Sequence, residues 1–525
     1  MQQDKSQAVV KPKKTVGLLR SSAIVGVMTM LSRMLGLARD VVVASYFGAS
    51  GSADAFFVAF KIPNFMRRLF AEGAFSQAFV PVLSEYRSQR DLQSVQQLVN
   101  YVAGTLGSVL IAITVLAVVG APMLTALFAP GFYLGDEGKF ELAAQMLRIT
   151  FPYLLLISLT AFAGAVLNSY ERFAIPAFTP VLLNVSLICS AIFLSPLFDP
   201  PVLALAWGVM IAGCVQLVFQ LPFMAQMRLL PKPRWGWDDP GVRRIMTLMV
   251  PALFGVSVTQ INLLLDTVLA SFLQTGSVSW LYYSDRLAEL PLGVFGIAIA
   301  TVILPSLSRR HAEDSNESFS ATLNWALQMV MLIGIPAAVA LFVLAEPMLI
   351  TLFHYGALGD RDVLMASMSL RAYACGLLAF MMIKVLATGY FSRQDTKTPV
   401  KIGIQAAVVN MIFNLLLIGP FDHVGLAAAT AISAFMNAGL LLYGLIKSGV
   451  FAWSTGWGMS IVRMLAANVV MGAVLIWLMK APSVWLQLGL WPRVIDMAIL
   501  VTVGAVVYVL VLVIFGLRLR HLRHS

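Results

Sequence analysis

The sequence predicts an all-α polytopic membrane protein with about fourteen transmembrane helices. Of its 525 residues, 59% are hydrophobic and 12% are charged, and the mean hydropathy is +0.85. A water-soluble chain of this length does not have such a composition. Apolar segments near the roughly 18 to 20 residues that span a hydrocarbon core recur along the whole chain, which favours helices over barrel strands. An internal repeat then predicts how the helices are grouped.

Each predicted span begins and ends where the sequence changes between polar and apolar residues. We predict spans over residues 21–46, 54–84, 95–119, 141–168, 176–196, 202–226, 243–272, 279–306, 323–353, 363–391, 400–419, 424–447, 460–480 and 491–517. The polar residues 1–20 are expected to form a cytoplasmic tail and not a cleaved leader, because the next apolar segment is long, charged in its middle and without a small-residue cleavage site.

The loops alternate between rich and poor in lysine and arginine. Segments such as "EYRSQRD", "MRLLPKPRWGWDDPGVRR" and "SRQDTKTPVK" are basic, whereas "FGASGSAD", "SPLFDPP" and "GPFDHVG" are not. The positive-inside rule therefore predicts that both termini are cytoplasmic, which requires an even number of spans. It also accounts for the net charge of +11 without nucleic acid as a partner.

Five short matches recur at an offset of 223 to 225 residues. The pairs are Pro81 and Pro305, Leu127 and Leu352, Arg148 and Arg371, Pro176 and Pro399, and Phe198 and Phe421. Six spans separate the members of each pair, so the copies share one orientation, as in transporters that handle substrate between two lobes. We predict an N-lobe over 21–226, a linker over 227–242, a C-lobe over 243–450, two added helices within 451–517, and a cytoplasmic tail over 518–525.

Three predicted spans carry charges that membranes disfavour. An arginine near the bilayer centre costs roughly 2.5 to 3.5 kcal/mol, yet "MLSRMLGLARD" lies inside the first span. The charged residues are Arg33, Arg39 and Asp40 in span 1, Lys61, Arg67, Arg68 and Glu72 in span 2, and Asp285, Arg286 and Glu289 in span 8. Neutralisation within one helix is the simpler explanation, with Arg33 facing Asp40, Arg68 facing Glu72 and Arg286 facing Glu289. The surplus of arginine instead favours a water-filled cavity that binds phosphate or pyrophosphate.

A second polar group occurs in the predicted C-lobe. Asp266 lies in span 7, Asn410 and Asn414 in span 11, and Thr430 and Ser433 in span 12. Their oxygen atoms suit a sodium ion, or Asp266 could carry a proton. Hydrogen bonding between helices is the competing explanation.

The sequence shows no catalytic motif. It has no phosphate-binding GxxxxGK[ST], no HExxH and no CxxC pair, and its five histidines are scattered. We therefore expect no enzymatic activity and no cofactor. Energy would come from an ion gradient, the membrane potential or the flux of substrate.

Several segments closely resemble the MurJ (MviN) family of lipid II flippases, and the chain looks like a gammaproteobacterial member. They are "SRMLGLARD", "DAFFVAFKIPNFMRRLFAEGAFSQAFVPVLSEY", "SVSWLYYSDRL", "LPSLS" and "YFSRQDTKTPVKI". The resemblance implies the MOP-superfamily fold, with helices 13 and 14 forming a groove for the lipid tail. It also implies alternating access in the bacterial inner membrane, which moves the undecaprenyl-pyrophosphate-linked peptidoglycan precursor to the periplasmic leaflet.

The resemblance also implies roles for particular residues and partners. Essential cavity arginines would be Arg33, Arg39, Arg67 and Arg286, and functional acidic or polar residues would be Asp40, Asp54, Glu72, Ser279 and Asp285. A sodium site of some members would correspond to Asp266, Asn410, Asn414 and Thr430, although Asn414 stands where an acid is expected. Expected partners are lipid II and membrane lipids, with peptidoglycan polymerases a further candidate, and the chain is expected to act as a monomer.

Three other functions predict different features of the sequence. Another lipid-linked oligosaccharide flippase would use a similar cationic cavity, but the run from Asp54 to Tyr86 is specific to the MurJ family. A multidrug antiporter that exports cations should have an acidic cavity. A non-transporting scaffold for cell-wall enzymes would have no need of arginines at the midplane.

Overall fold

A computed structural model describes residues 15–69, 75–135, 137–312 and 316–516. These residues form helices and connecting turns, with no β-strand among them. Ten helices in this part of the chain are long and apolar enough to cross a membrane. The all-α membrane architecture is thus confirmed, while the number fourteen stays a prediction. Glu72 lies outside the described residues, as do most of the predicted N-terminal tail and the whole of the predicted C-terminal tail.

Ten helices are described in the first half of the chain. They are α1 (Thr15–Phe47), α2 (Gly51–Arg67), α3 (Ser76–Gln89), α4 (Leu92–Val119), α5 (Ala121–Phe128), α6 (Pro130–Gly135), α7 (Glu137–Thr150), α8 (Tyr153–Ser169), α9 (Ala174–Cys189) and α10 (Leu203–Gln226). The predicted span 141–168 comprises most of α7 and α8, which are separated at Phe151 and Pro152.

Ten more helices are described in the second half. They are α11 (Pro240–Ala270), α12 (Ser277–Pro291), α13 (Ile297–Ala312), α14 (Asn316–Val343), α15 (Ala345–Phe353), α16 (Asp360–Phe391), α17 (Lys397–Lys447), α18 (Trp457–Leu478), α19 (Pro482–Gln487) and α20 (Leu490–Ile514). Two predicted spans fall within α17, and Asp422 divides them with a backbone φ of 49° and ψ of −131°.

The helices of the two halves pack in corresponding pairs. The pairs α1 with α9, α8 with α10, and α2 with α7 recur as α11 with α17, α16 with α17, and α12 with α16. Asn184 on α9 donates a hydrogen bond to the carbonyl of Ser32 on α1 (3.0 Å), and Asn414 on α17 donates to Asp266 on α11 (2.7 Å). The repeat read from the sequence therefore reappears in the packing.

Spans 2 and 8, which the repeat pairs with one another, are both broken helices. In span 8, a π-helical turn over Leu292–Gly296 separates α12 from α13 and directly follows Pro291. In span 2, α2 gives way to a π-helical turn at Arg68, and α3 begins at Ser76. Proline removes a backbone donor, and π-turns often occur at functional sites. Both breaks adjoin the cavity described next.

Candidate functional site

A cavity of about 960 Å³ lies between the two halves of the molecule. Helices α1, α2, α3, α8, α9 and α10 line it from the first half, and α12, the π-helical turn and α16 from the second. Its charged lining consists of the cations Arg33, Arg39, Arg67, Arg68, Arg286 and Lys384 and the acids Asp40 and Glu289. The described lining is thus strongly cationic, which suits an anionic ligand.

The cavity opens at one end of α1 and closes at the other. Thr29 is exposed and Arg33 is half-buried, but Arg39 and Asp40 are only 8% and 2% exposed. Asn168, near the end of α8, also lines the cavity and is exposed. We call the region around Thr29 and Asn168 the open end, and the region beyond Asp40 the closed end.

Asp40 lies between two arginines from different halves of the molecule. Its Oδ1 is 2.6 Å from Arg39 Nη2 and accepts a hydrogen bond from the Tyr282 hydroxyl (2.9 Å), while its Oδ2 is 3.6 Å from Arg286 Nε. The interpretation that Arg33 pairs with Asp40 within α1 is therefore wrong. Because α12 packs against this part of the cavity, Asp40 finds partners that spacing along α1 does not reveal.

Further neighbouring groups orient the guanidinium groups of Arg39 and Arg286. Arg39 donates to Asn184 Oδ1 (3.1 Å) and to the Tyr282 hydroxyl (3.0 Å). Arg286 lies over the Tyr282 ring, 5.1 Å from its centroid, and donates to Glu289 (3.0 Å), the pair expected from the spacing. These contacts orient the guanidinium groups before any ligand arrives, which lowers the cost of binding.

Arg33 packs against the π-helical turn of the opposite half. A Cβ atom added at Gly293 would overlap the Arg33 guanidinium, so the backbone there lies directly against it. Within the described part of the chain, the Arg33 side chain makes no hydrogen bond. Arg67 donates from Nε to Asn64 Oδ1 (2.9 Å). Both arginines face the cavity, as the sequence predicts for them.

At the closed end, Asp54 joins α2 to the start of α12. Its carboxylate accepts hydrogen bonds from the Gly276 amide (2.7 Å), the Ser279 amide (3.0 Å) and the Ser279 hydroxyl (2.6 Å), and it is 3.8 Å from Lys139 Nζ. A carboxylate at a helix N-terminus satisfies free amides and favours the helix dipole. Asp54 is 1% exposed, so this contact is shielded from water.

The backbone of the two halves also meets at the closed end. The Ala357 amide donates to the Ser45 carbonyl (2.8 Å), and the Tyr283 hydroxyl donates to the Gly48 carbonyl (2.8 Å). Gly48 and Gly356 have φ values of 60° and 62°, and a Cβ at either would overlap the opposite half. Glycine is needed at both positions because of this conformation and this close approach.

The structure thus separates the predicted site residues into groups. Arg33, Arg39, Asp40, Arg67 and Arg286 line the cavity, whereas Asp54 and Ser279 form a contact at the closed end. Asp285 is partly buried and does not belong to the described lining. Sequence reasoning missed Asn184, Tyr282 and Lys384, because one polar residue in an apolar span gives little indication of its partner.

The second polar group, which we call the Asp266 cluster, comprises Asp266, Asn410, Asn414, Thr430 and Ser433. The Asn414 amide nitrogen donates both to Asp266 Oδ1 (2.7 Å) and to Asn410 Oδ1 (2.8 Å). It therefore occupies the place between two oxygen atoms that a cation would take. Asn410 in turn donates to the hydroxyls of Thr430 and Ser433 (both 3.3 Å). The Asn414 amide thus satisfies Asp266 Oδ1 and Asn410 Oδ1, while Asn414 Oδ1 is buried without a hydrogen-bond partner among the described residues. The sodium site stays a prediction.

Comparisons with known proteins agree with this architecture. Residues 43–496 match the family model described as lipid II flippase MurJ. A protein of Vibrio cholerae serotype O1, described as a probable lipid II flippase MurJ, is 51% identical over 96% of this chain and 98% of its own length.

Solved structures show the same fold. A structure described as lipid II flippase MurJ in an inward closed conformation has a TM-score of 0.79 and 26% identity, covering 94% of this chain and 98% of that one. An inward-facing multidrug resistance MATE transporter of the MOP superfamily has a TM-score of 0.67 and 15% identity, covering 82% of this chain and 98% of that one. The second likeness concerns the fold alone, and together the two identify the fold as that of the MOP superfamily.

Proposed function

The chain belongs to the lipid II flippase MurJ family, and from this premise we propose that it moves lipid II across the bacterial inner membrane. The substrate is an undecaprenyl lipid whose pyrophosphate carries a disaccharide pentapeptide. It would enter from the cytoplasmic leaflet through the open end and leave to the periplasmic leaflet through the closed end. The N-terminus would then be cytoplasmic, since the open end lies on the side where α1 begins, and an even number of spans would place the C-terminus on the same side.

The cationic cavity is the observation that carries this proposal. Six cationic side chains and two acidic ones line its described surface. Guanidinium groups bind pyrophosphate through paired, charge-assisted hydrogen bonds. The sugars and peptide need the water that such a cavity holds, whereas a cation exporter would need the opposite charge. The apolar lipid tail stays in the bilayer, where α18 and α20 pack together and expose apolar side chains such as Trp477 and Ile514.

Asp40 supplies a means of coupling binding to the change of state. Asp40 is the anion between Arg39 and Arg286, and so links α1 to α12. A pyrophosphate group that binds the same two arginines competes with this carboxylate. Weakening the link loosens the two halves beside the closed end, where Asp54 and the backbone contacts must separate for the headgroup to leave. The headgroup thereby helps to open its own exit, as alternating access requires.

The membrane potential is the energy source that fits these features best. A potential that is negative inside favours outward movement of an anionic headgroup, by about 2.3 kcal/mol for each charge per 100 mV. Sodium coupling through the Asp266 cluster is less suitable, because Asn414 already satisfies the two oxygens. We propose that a monomer suffices, without covalent chemistry or a cofactor. Peptidoglycan polymerases would act on the product, in direct contact or not.

The test is the leaflet location of lipid II in cells depleted of their own flippase. Cells carrying the wild-type chain should expose lipid II to a periplasmic probe, and cells carrying Arg39→Ala should not. Arg243→Ala is the matched control, because Arg243 is an exposed arginine that pairs with Asp238 outside the cavity. If Arg39→Ala inserts normally and restores exposure as well as the control does, the pyrophosphate proposal is wrong.

A further inference from the structure

The cavity wall carries an uncharged polar group apart from the arginines. We call it the amide wall, and it consists of Thr179 on α9 with Gln216 and Gln220 on α10. All three line the cavity, and they are 5%, 2% and 1% exposed. The two glutamines are four residues apart, so they lie on one face of an otherwise apolar helix. These residues belong neither to the charged residues of the spans nor to the site residues that the resemblance implies.

Hydrogen bonds within the amide wall leave one atom without a partner. Gln216 donates to the Thr179 carbonyl (3.0 Å) and accepts from the Tyr153 hydroxyl (3.3 Å). Gln220 Nε2 donates to the Thr179 hydroxyl (2.9 Å), which donates its own hydrogen to the Ile175 carbonyl (3.2 Å). Because that hydroxyl has one hydrogen, it must accept from Gln220, and this fixes the orientation of the glutamine amide.

The remaining atom, Gln220 Oε1, is buried and has no hydrogen-bond partner among the described residues. Buried polar atoms in native proteins are nearly always paired, since an unpaired one retains the cost of leaving water. Gln220 lines the wall of a cavity that handles a polar ligand. A donor brought by the ligand would supply the missing partner.

We infer that Gln220 Oε1 accepts a hydrogen bond from the sugar–peptide part of the headgroup, an inference that rests on the proposed function. The ionised pyrophosphate offers only acceptors, and it is matched by arginines, which offer only donors. It cannot satisfy a carbonyl oxygen. Sugar hydroxyls, acetamido groups and peptide amides all offer the donor that Gln220 lacks. The Gln220 acceptor thus distinguishes a headgroup that carries sugars and peptide from undecaprenyl pyrophosphate, which carries neither.

The position of the amide wall agrees with pyrophosphate binding at the arginines and sugar–peptide binding at Gln220. Thr179 precedes Asn184, the partner of Arg39, by five residues of α9, or about 7.5 Å along the helix axis at 1.5 Å per residue. It lies toward the open end, because Pro176 on the same helix packs against Gly164, one turn before the exposed Asn168. A headgroup whose pyrophosphate reaches Arg39 therefore passes its sugars beside Gln220.

The experiment compares two ligands on the purified full-length protein in nanodiscs. Lipid II carries sugars and peptide, and undecaprenyl pyrophosphate has the same tail and a pyrophosphate without them. Gln220→Met keeps the length of the side chain and removes both the acceptor and the amide donor to Thr179. It should weaken lipid II binding about fivefold, as expected for one hydrogen bond, and leave undecaprenyl pyrophosphate binding unchanged. Gln226→Met, at the exposed end of the same helix, should change neither.

Further variants separate this inference from the proposed function. Thr179→Val removes the hydroxyl that accepts from the Gln220 amide but keeps Gln220 Oε1, so it should bind lipid II better than Gln220→Met does. Arg39→Ala should weaken both ligands. If Gln220→Met leaves lipid II affinity unchanged, or weakens both ligands equally, the inference is overturned. If Arg39→Ala changes neither ligand while Gln220→Met still weakens lipid II alone, the pyrophosphate proposal fails and the role of Gln220 stands. Retained binding of undecaprenyl pyrophosphate shows that the Gln220 variant is folded, and thermal unfolding provides the same check for Arg39→Ala.

Discussion

The central cavity and the Asp266 cluster are both polar regions inside a membrane protein, but their polar groups are compensated in different ways. The cavity has a surplus of cations, and the Arg33 guanidinium makes no hydrogen bond within the described residues. In the Asp266 cluster, hydrogen bonds join one carboxylate, two amides and two hydroxyls, and Asn414 Oδ1 is left without a partner among the described residues. Unsatisfied charge is costly in a membrane unless water or a ligand compensates it, whereas a satisfied polar group joins helices. The difference separates a region with surplus positive charge from one in which hydrogen bonds between helices predominate.

Removing an arginine from the cavity should have the largest effect. Arg286→Ala deletes the partner of both Asp40 and Glu289 and should abolish complementation of flippase-depleted cells, because it removes a ligand for the pyrophosphate. The measurement is growth together with the amount of inserted protein. Arg243→Ala should grow like wild type. Normal growth of cells with Arg286→Ala at equal insertion would show that the cavity does not need this arginine for its ligand.

Asp54 tests whether a buried carboxylate outside the cavity is structural. Asp54→Ala leaves the Gly276 and Ser279 amides without an acceptor at the start of α12, a loss of about 1 to 3 kcal/mol for a buried group. The closed end should then open more often. A cysteine introduced at Ser45 should react faster with a membrane-impermeant thiol reagent added from outside, relative to the same cysteine in the wild-type background. An unchanged rate would show that Asp54 does not hold the closed end.

The Asp266 cluster should become dependent on a cation after one substitution. Asn414→Asp replaces the donor nitrogen 2.7 Å from Asp266 Oδ1 by an oxygen, so two carboxylates would face each other and need a cation between them. Thermal unfolding of this variant should shift upward in sodium chloride relative to choline chloride. The wild-type chain should show no such shift, and a sodium-dependent shift in the wild type would contradict our interpretation of the cluster.

The smallest effect is expected from a substitution that moves the Arg33 guanidinium without removing it. Gly293→Ala places a Cβ where the Arg33 guanidinium now lies, and that flexible side chain can shift away. Lipid II affinity should fall about two- to fivefold with unchanged thermal stability, since the charge remains but its position changes. Gly403→Ala is the control, because nothing lies within 4 Å of the added atom there. Equal affinity of both variants would mean that the position of Arg33 is not critical.

Much of this architecture could be predicted from the sequence. Hydropathy predicted the membrane helices, the offset near 224 residues predicted the paired packing, and the charges of "MLSRMLGLARD" predicted a cationic cavity. The resemblance to the MurJ family is also confirmed. These signals are local or periodic, so they survive in a single sequence.

The contacts between the halves could not be predicted in this way. Asp40 pairs with Arg39 and Arg286, and Asp54 caps a helix 222 residues away. Such partners depend on how α2 and α12 meet, which no spacing along one helix reveals. Gln220 is a further example: a glutamine in an apolar span predicts only that some hydrogen bond exists, and the structure is needed to show which atom remains free.

The closed end also bears on how the cell keeps its membrane electrically insulating. A wet, cationic cavity that reached both faces would conduct anions and dissipate the proton-motive force. Gly48 and Gly356 let backbone meet backbone there, which brings the two halves into direct contact at these points. A larger residue at either position would therefore endanger the cell through leakage current before it affected the supply of cell-wall precursor.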